Sequence, residues 1–312
     1  MILAMAMLLI SLTLLLLLIL NPMVSAHSLR LGIEFNTHAT PVWIALDRDL
    51  FAKRGIGVSK IFKFRTGLEL ASAIARGDVN VAWACLGPIL MIIDKGVKVR
   101  IIGKVHNHGY AIVVNSTYIK DIRDLSRFEV YTPGKGSPAY LLLLKVMDKY
   151  GVRPKRIIFK PPQTILMSLL KGDIVAASLP EHYVSVAASK GLKVILKSQE
   201  VWPNMPGSYL IVSEDLIKED KEVLSKLLKI TKLSIELMRA NITYAALISS
   251  KALGIEADVA LNSIKSIDWD LNLSVGEIQE YIDFMYKHGI ITKRLNANDI
   301  ILKLNDEGDG NG

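Results

Sequence analysis

The chain contains one unit twice, and this repeat narrows its possible folds more than any other feature. Ala75-Arg76-Gly77-Asp78-Val79 and Lys95-Gly96-Val97-Lys98-Val99 are answered by Leu170-Lys171-Gly172-Asp173-Ile174 and Lys190-Gly191-Leu192-Lys193-Val194, at an offset of 95 in both places. Upstream, Lys53-Arg54-Gly55-Ile56 is answered by Lys149-Tyr150-Gly151-Val152 and Ile61 by Ile157, at an offset of 96. Residues 31–101 therefore resemble residues 128–196.

Each copy reads as strand, helix, strand, helix, strand, helix, strand. In the first copy the apolar alternation of residues 29–35 predicts a strand, and Thr40-Pro41 supplies an N-cap and a first-turn proline for a helix running to Gly55. Residues 61–64, 79–85 and 99–103 are further strands; residues 67–76 and 88–95 are helices stopped by Gly77 and Gly96. The second copy runs through 128–132, 138–150, 157–159, 164–171, 174–179, 181–190 and 193–196. Strands alternating with helices predict an α/β fold, a mostly parallel sheet flanked by helices on both faces. Two copies predict two such lobes with a cleft between them.

Two more apolar strands, residues 110–115 and 208–213, lie between and after the copies as natural crossovers. Lobe one is expected to hold residues 27–114 plus 208–312 and lobe two residues 115–207; a single linker is the alternative. The tail from Asn305 to Gly312, acidic and glycine-rich, is expected to be disordered.

Residues 1–26 are a separate matter. From Met1 to Leu20 only Ser11 and Thr13 are not apolar, and no charged side chain precedes Arg30. Val24-Ser25-Ala26 offers small residues for a signal peptidase, so cleavage before His27 is expected; an uncleaved membrane anchor is the alternative. Either puts the chain outside the cytoplasm: secreted, periplasmic or at the cell surface. Sequons at Asn115, Asn241 and Asn272 fit an exported, glycosylated chain as well as they fit chance. The net charge of +8 is dispersed, so nucleic acid is not an expected partner. A single cysteine, Cys85, excludes an internal disulfide framework and multi-cysteine zinc motifs.

In sheets of this kind ligands bind beyond the carboxyl ends of the strands, where helix N-termini converge. The repeat thus names six loops in advance: 36–40, 65–67 and 86–88 from the first copy, and 133–137, 161–164 and 180–182 from the second. Six helix N-termini facing one cleft favour an oxyanion. Candidate ligand-binding residues are Asn36, Thr37, His38, Arg65, Thr66 and Gly87 on one side, and Lys135, Gly136, Ser137, Gln163, Glu181 and His182 on the other. Arg65 and Lys135, one from each lobe, could clamp an anion or be solvated loop charges. Thr40, Thr66 and Thr164 read equally well as N-caps. Gly134 and Gly136 permit close backbone approach. Glu181 suits a helix start but would repel an anion unless the ligand also carries an amine. His38, His106, His108 and His182 lie in or near these loops; no carboxylate or cysteine stands at ligand spacing with them, so no metal is assigned. Cys85 reads as a small buried residue, Trp43 and Trp83 as core, and Trp202 as packing or a stacking surface for a ligand. No G-x-S-x-G elbow, Walker loop, H-E-x-x-H or paired-carboxylate constellation is present, so neither an enzyme nor a cofactor is expected.

Pro41-Val42-Trp43-Ile44-Ala45-Leu46 followed by Asp49-Leu50-Phe51-Ala52-Lys53-Arg54-Gly55-Ile56 resembles the A-x-x-x-G-x-F-x-x-x-G-[IL] opening of a known family. This is the family of solute-binding proteins of ABC importers in the nitrate, sulfonate and taurine branch. Residues 73–81 through Gly87-Pro88 are similar to its A-x-x-x-G-x-[IV]-D-x strand and cleft loop. Asp121-Ile122-Arg123-Asp124-Leu125 is similar to its interlobe I-x-[DS]-L element, and residues 168–177 to its second G-x-[IV]-D-A element. The resemblance covers residues 29–215 and implies a two-lobed type II periplasmic-binding-protein fold with a Venus-flytrap cleft. It departs at Pro180-Glu181-His182-Tyr183, where members often carry an aromatic and a proline in the opposite order, and at Asn36-Thr37-His38, which is not the commoner Gln-Pro type. The implied function is capture of a small anion or organic solute and its delivery, by a monomer, to a membrane permease with a separate ATPase. A pyrimidine or thiamine-precursor ligand is the alternative, marked by Tyr183 or Trp202 facing the cleft. An enzyme on the same fold and a structural surface protein are further alternatives.

Overall fold

The computed structural model describes residues 29–304. The expected leader and the expected disordered tail lie outside the described residues. Among the described residues no helix is long and apolar enough to cross a membrane.

Two five-stranded sheets are built on one plan. The first consists of β1 (Leu29–Glu34), β2 (Val58–Phe64), β3 (Val81–Cys85), β4 (Val99–Lys104) and, from much later in the chain, β11 (Ser208–Ser213), in the order β2-β1-β3-β11-β4. The second consists of β6 (Tyr110–Val114), β7 (Glu129–Thr132), β8 (Arg156–Phe159), β9 (Ala176–Pro180) and β10 (Lys193–Lys197), in the order β8-β7-β9-β6-β10. In each sheet four strands run one way and the crossover strand, β11 or β6, lies antiparallel between the third and the last. Each repeat copy thus supplies four strands, and each crossover completes a sheet.

This topology corrects one boundary. Residues 110–114, expected in lobe one, belong to the second sheet, where Val114 pairs with both Ala176 and Lys193. The chain passes from the first sheet to the second between Lys104 and Tyr110. Apolar alternation identifies a strand without saying which sheet receives it. The short strands β5 (Asn107–His108) and β12 (Ile267–Asp268) pair beside this crossing.

The repeated glycines have a shared physical role. Gly77 and Gly172, at φ +79° and +80°, and Gly96 and Gly191, at +91° and +87°, take the left-handed conformation that halts a helix in both copies. Gly32 in β1 is needed for closeness: a Cβ there would stand 2.4 Å from Leu70 Cδ1.

Helices cover both faces of each sheet. In chain order they are α1 (Thr40–Asp47), α2 (Gly67–Ala75), α3 (Leu86–Asp94), α4 (Pro138–Tyr150), α5 (Pro162–Lys171), α6 (Tyr183–Ser189), α7 (Ser198–Val201), α8 (Glu214–Glu219), α9 (Lys221–Ala240), α10 (Ile242–Leu253), α11 (Ala257–Lys265), α12 (Val275–Lys287) and α13 (Ala297–Ile300). One apolar core lies between the first sheet and α1, α9, α10 and α11; a smaller one lies between the second sheet and α5 and α6. The largest is shared by both halves and joins α2, α3, α4 and α12. Helix α12, expected in lobe one, lies against α4: Lys145 reaches Glu280 at 3.4 Å, and Lys287 and His288 reach Asp148 at 2.9 and 3.1 Å. At the start of α12, Glu277, together with Asp270, holds the wholly buried Lys104 at 2.8 and 2.6 Å.

Candidate cleft between the two sheets

Helix starts decide where the loops beyond the strands can place polar groups. Thr66 caps α2 as expected, accepting from Glu69 N–H at 3.1 Å, and Ser137 caps α4, accepting from Tyr140 N–H at 3.2 Å. Thr40 does not cap: α1 begins at Thr40 itself, whose hydroxyl donates to Thr37 O at 2.7 Å. Thr164 does not cap either, because Pro162 starts α5 two residues earlier, its φ already helical. Helix α6 begins at Tyr183, so Glu181 and His182 precede it.

A cleft of about 420 Å³, counting the solvent open to it, lies at the carboxyl ends of strands from both sheets. The first half contributes Glu34, Asn36, Arg65, Thr66 and Cys85; the second contributes Tyr110, Ser137, Ala139 and Tyr183. Pro133, Pro138, Pro162 and Pro180 line its second side.

Four of the twelve residues expected at the site, Asn36, Arg65, Thr66 and Ser137, line this cleft. The other eight do not. Thr37 is wholly buried and accepts from the Ser263 hydroxyl at 2.7 Å. His38 is buried beneath the loop, 3.2 Å from Gly109 O, with its ring 4.4 Å from that of His106. Burial lowers the pKa of His38 to about 3. Gly87 and Gly136 touch across the two halves: a Cβ on Gly87 would stand 2.3 Å from Gly136 O. Lys135 and Gln163 are exposed away from the cleft.

Glu181 and His182 are buried but turned elsewhere. Glu181 accepts from Ser185 N–H at 3.2 Å and from its hydroxyl at 2.7 Å, and it lines a separate groove beside Asn262 and Lys265 of α11. Burial pushes its carboxyl up to about 7. His182, lowered to about 4 by burial, stacks on Tyr183 at 4.3 Å. Trp202 is not at the cleft; it is buried and stacked on Tyr281 at 5.3 Å. Tyr183 does line the cleft.

The electrostatics differ from the expected anion cradle. Arg65 is the one basic side chain lining the cleft; it is 72% exposed and lies 3.7 Å from Glu69. At the buried end stands Glu34, expected only as a strand residue. Glu34 is 4% exposed and accepts from Cys85 N–H at 2.8 Å, Asn36 Nδ2 at 3.0 Å and Cys85 Sγ at 3.3 Å. Burial raises its pKa above the ordinary carboxylate value. Cys85 Sγ also lies 3.2 Å from the Tyr110 hydroxyl, and burial raises both of those groups too. The one signal in the sequence was an acidic residue ending a strand in which Arg30 is the only other charged residue.

Comparison with known proteins agrees with this architecture. A family model described as the NMT1-like family matches residues 24–241. The taurine-binding periplasmic protein of Escherichia coli (strain K12) is 24% identical over 210 residues, an alignment that covers 65% of this chain and 65% of that protein's own length. The alkanesulfonate-binding protein SsuA from Xanthomonas axonopodis pv. citri, solved bound to MOPS, superposes with a TM-score of 0.79 at 17% identity, covering 89% of this chain and 98% of that one. The periplasmic nitrate-binding protein NrtA from Synechocystis PCC 6803 superposes with a TM-score of 0.76 at 13% identity, covering 88% and 84%. At those identities the two structures bear on fold alone, and the fold is that of the periplasmic binding proteins. With two sheets of one plan, a cleft at their carboxyl ends and the family match over most of its length, the chain belongs to the NMT1-like family, on the periplasmic-binding-protein fold.

Proposed function

We propose that the protein is an exported solute-binding receptor of an ABC importer. It takes a small anion or organic solute into the cleft, closes two lobes over it and presents it, as a monomer, to a membrane permease with its ATPase. The lobes are cored by the two sheets, with the crossing between Lys104 and Tyr110. The observation that carries the reading is a cleft lined from both sheets at their strand ends, in a chain of this family. Relatives named for taurine, alkanesulfonate and nitrate set the first ligand class to test. Tyr183 at the cleft favours a second reading, in which a flat ring such as a pyrimidine stacks there. Closure would desolvate the solute between the helix N-termini of both halves.

A thermal-shift panel of taurine, alkanesulfonates, nitrate and pyrimidines tests this. A true ligand at 100 times its Kd adds about 2.7 kcal/mol of apparent stability. A rise with one class, abolished by Tyr183→Ala for a ring but not for a sulfonate, would identify the ligand. No rise with any class would overturn the receptor reading for these solutes.

A further inference from the structure

At the floor of the cleft Glu34 has no cation paired with it among the described residues, and the basic side chain that lines the cleft, Arg65, lies 3.7 Å from Glu69 instead. Among the described residues no Lys, Arg or His forms an ion pair with Glu34, and the three groups that donate to it are all neutral. A carboxylate offers about four acceptor positions, so room for one strong donor remains. A buried carboxylate without a counter-charge is costly, and a partner that brings positive charge removes that cost. Gly67, the first residue of α2, keeps space beside it: a Cβ there would stand 2.8 Å from Glu34 Oε1. That helix end supplies only a fraction of a positive charge.

The rest of the cleft has the opposite character. Thr66 and Ser137 accept from their helices through oxygen, which leaves each O–H free to donate. The ends of α2 and α4 lie there, and Arg65 stands at the rim. The cleft is therefore polarised, with an acceptor floor and donors around it.

We propose that the cleft selects a solute carrying a basic nitrogen, which pairs with Glu34, and rejects simple oxyanions. The inference rests on the receptor reading above. Aliphatic amino sulfonates and aminopyrimidines share this chemistry. In the first, the ammonium meets Glu34 and the anionic end meets the Thr66 and Ser137 donors; in the second, the amino edge meets Glu34 and the ring lies on Tyr183.

The test is calorimetric titration of the purified protein with matched pairs: taurine against isethionate, which carries a hydroxyl in place of the amine, and 4-aminopyrimidine against 4-hydroxypyrimidine, with nitrate alongside. One amine is expected to bind at least about tenfold more tightly than its partner, the worth of a charge-assisted hydrogen bond, and which pair responds identifies the source. Glu34→Gln should lower that amine's affinity about as much, while the circular dichroism of the unliganded variant stays that of the parent, which separates lost pairing from lost folding. Binding of isethionate, 4-hydroxypyrimidine or nitrate as tight as that of the amines, or full amine affinity in Glu34→Gln, would overturn the inference and leave the receptor reading standing. No binding by any of the five would overturn the receptor reading for these solutes, and this inference with it.

Discussion

Glu34 and Glu181 are both buried carboxyls, and their surroundings give them different work. Glu34 faces the cleft, whereas Glu181 is occupied by Ser185 at the start of α6 and lies on the far groove. Burial raises Glu181 from 4.5 to about 7, so the folded protein holds a proton there that the unfolded chain has already released. The stability this contributes is present at low pH and is lost as pH rises from 4.5 through about 7. Buried His38 and His182 act in the opposite sense over an overlapping window: lowered from 6.5 to about 3 and about 4, they destabilise the fold as pH falls below 6.5. Comparing a variant with the parent isolates the carboxyl. Glu181→Gln should gain melting temperature relative to the parent as pH rises through that window; a difference that stays flat with pH would show that Glu181 ionises as freely folded as unfolded.

At the scale of elements, the C-terminal segment acts as a strap across both halves. Helix α12 lies against α4 of the second half, and the chain then returns to α3 of the first, where Asp94 accepts from Thr292 N–H at 3.0 Å and Lys293 N–H at 2.8 Å. Helix α13 follows, and Leu302 N–H donates to Ile101 O of β4 at 2.9 Å. Asp94→Ala removes the carboxylate that satisfies these N–H groups and should cost about 2 kcal/mol, the usual worth of hydrogen bonds to a charged group. Denaturant melts would measure that loss, and hydrogen exchange should show protection falling first over residues 290–302. Unchanged exchange there would mean that apolar packing alone holds the strap. The sequence showed this region as helical and no more, because the partner of Asp94 lies 198 residues away.

For the whole molecule, the closeness of the two halves depends on residues without side chains. A Cβ on Gly87 would meet Gly136 O at 2.3 Å and the Tyr281 hydroxyl at 3.2 Å, and one on Gly136 would meet Met91 Sδ at 2.1 Å. Backbone oxygen cannot yield as a flexible side chain can, so Gly87→Ala should push the halves apart. Ligand affinity should fall about tenfold or more while far-ultraviolet circular dichroism stays unchanged, because a shift of about 1 Å at the contact is enough to spoil a site built from both sides. Retained affinity would place ligand binding on one sheet alone.

By itself the sequence determined the repeat, the strand and helix order, the helix-stopping glycines and the six loops at the strand ends, because each rests on local periodicity and backbone preference. Only the tertiary structure decided which sheet receives residues 110–114, that α12 reaches the second half, and that Glu34 rather than Lys135 meets the cleft. Those outcomes depend on pairings between residues far apart in the chain. A charge in a sequence carries no record of whether packing will leave it in water, as it leaves Lys135, or seal it beneath a cleft, as it seals Glu34.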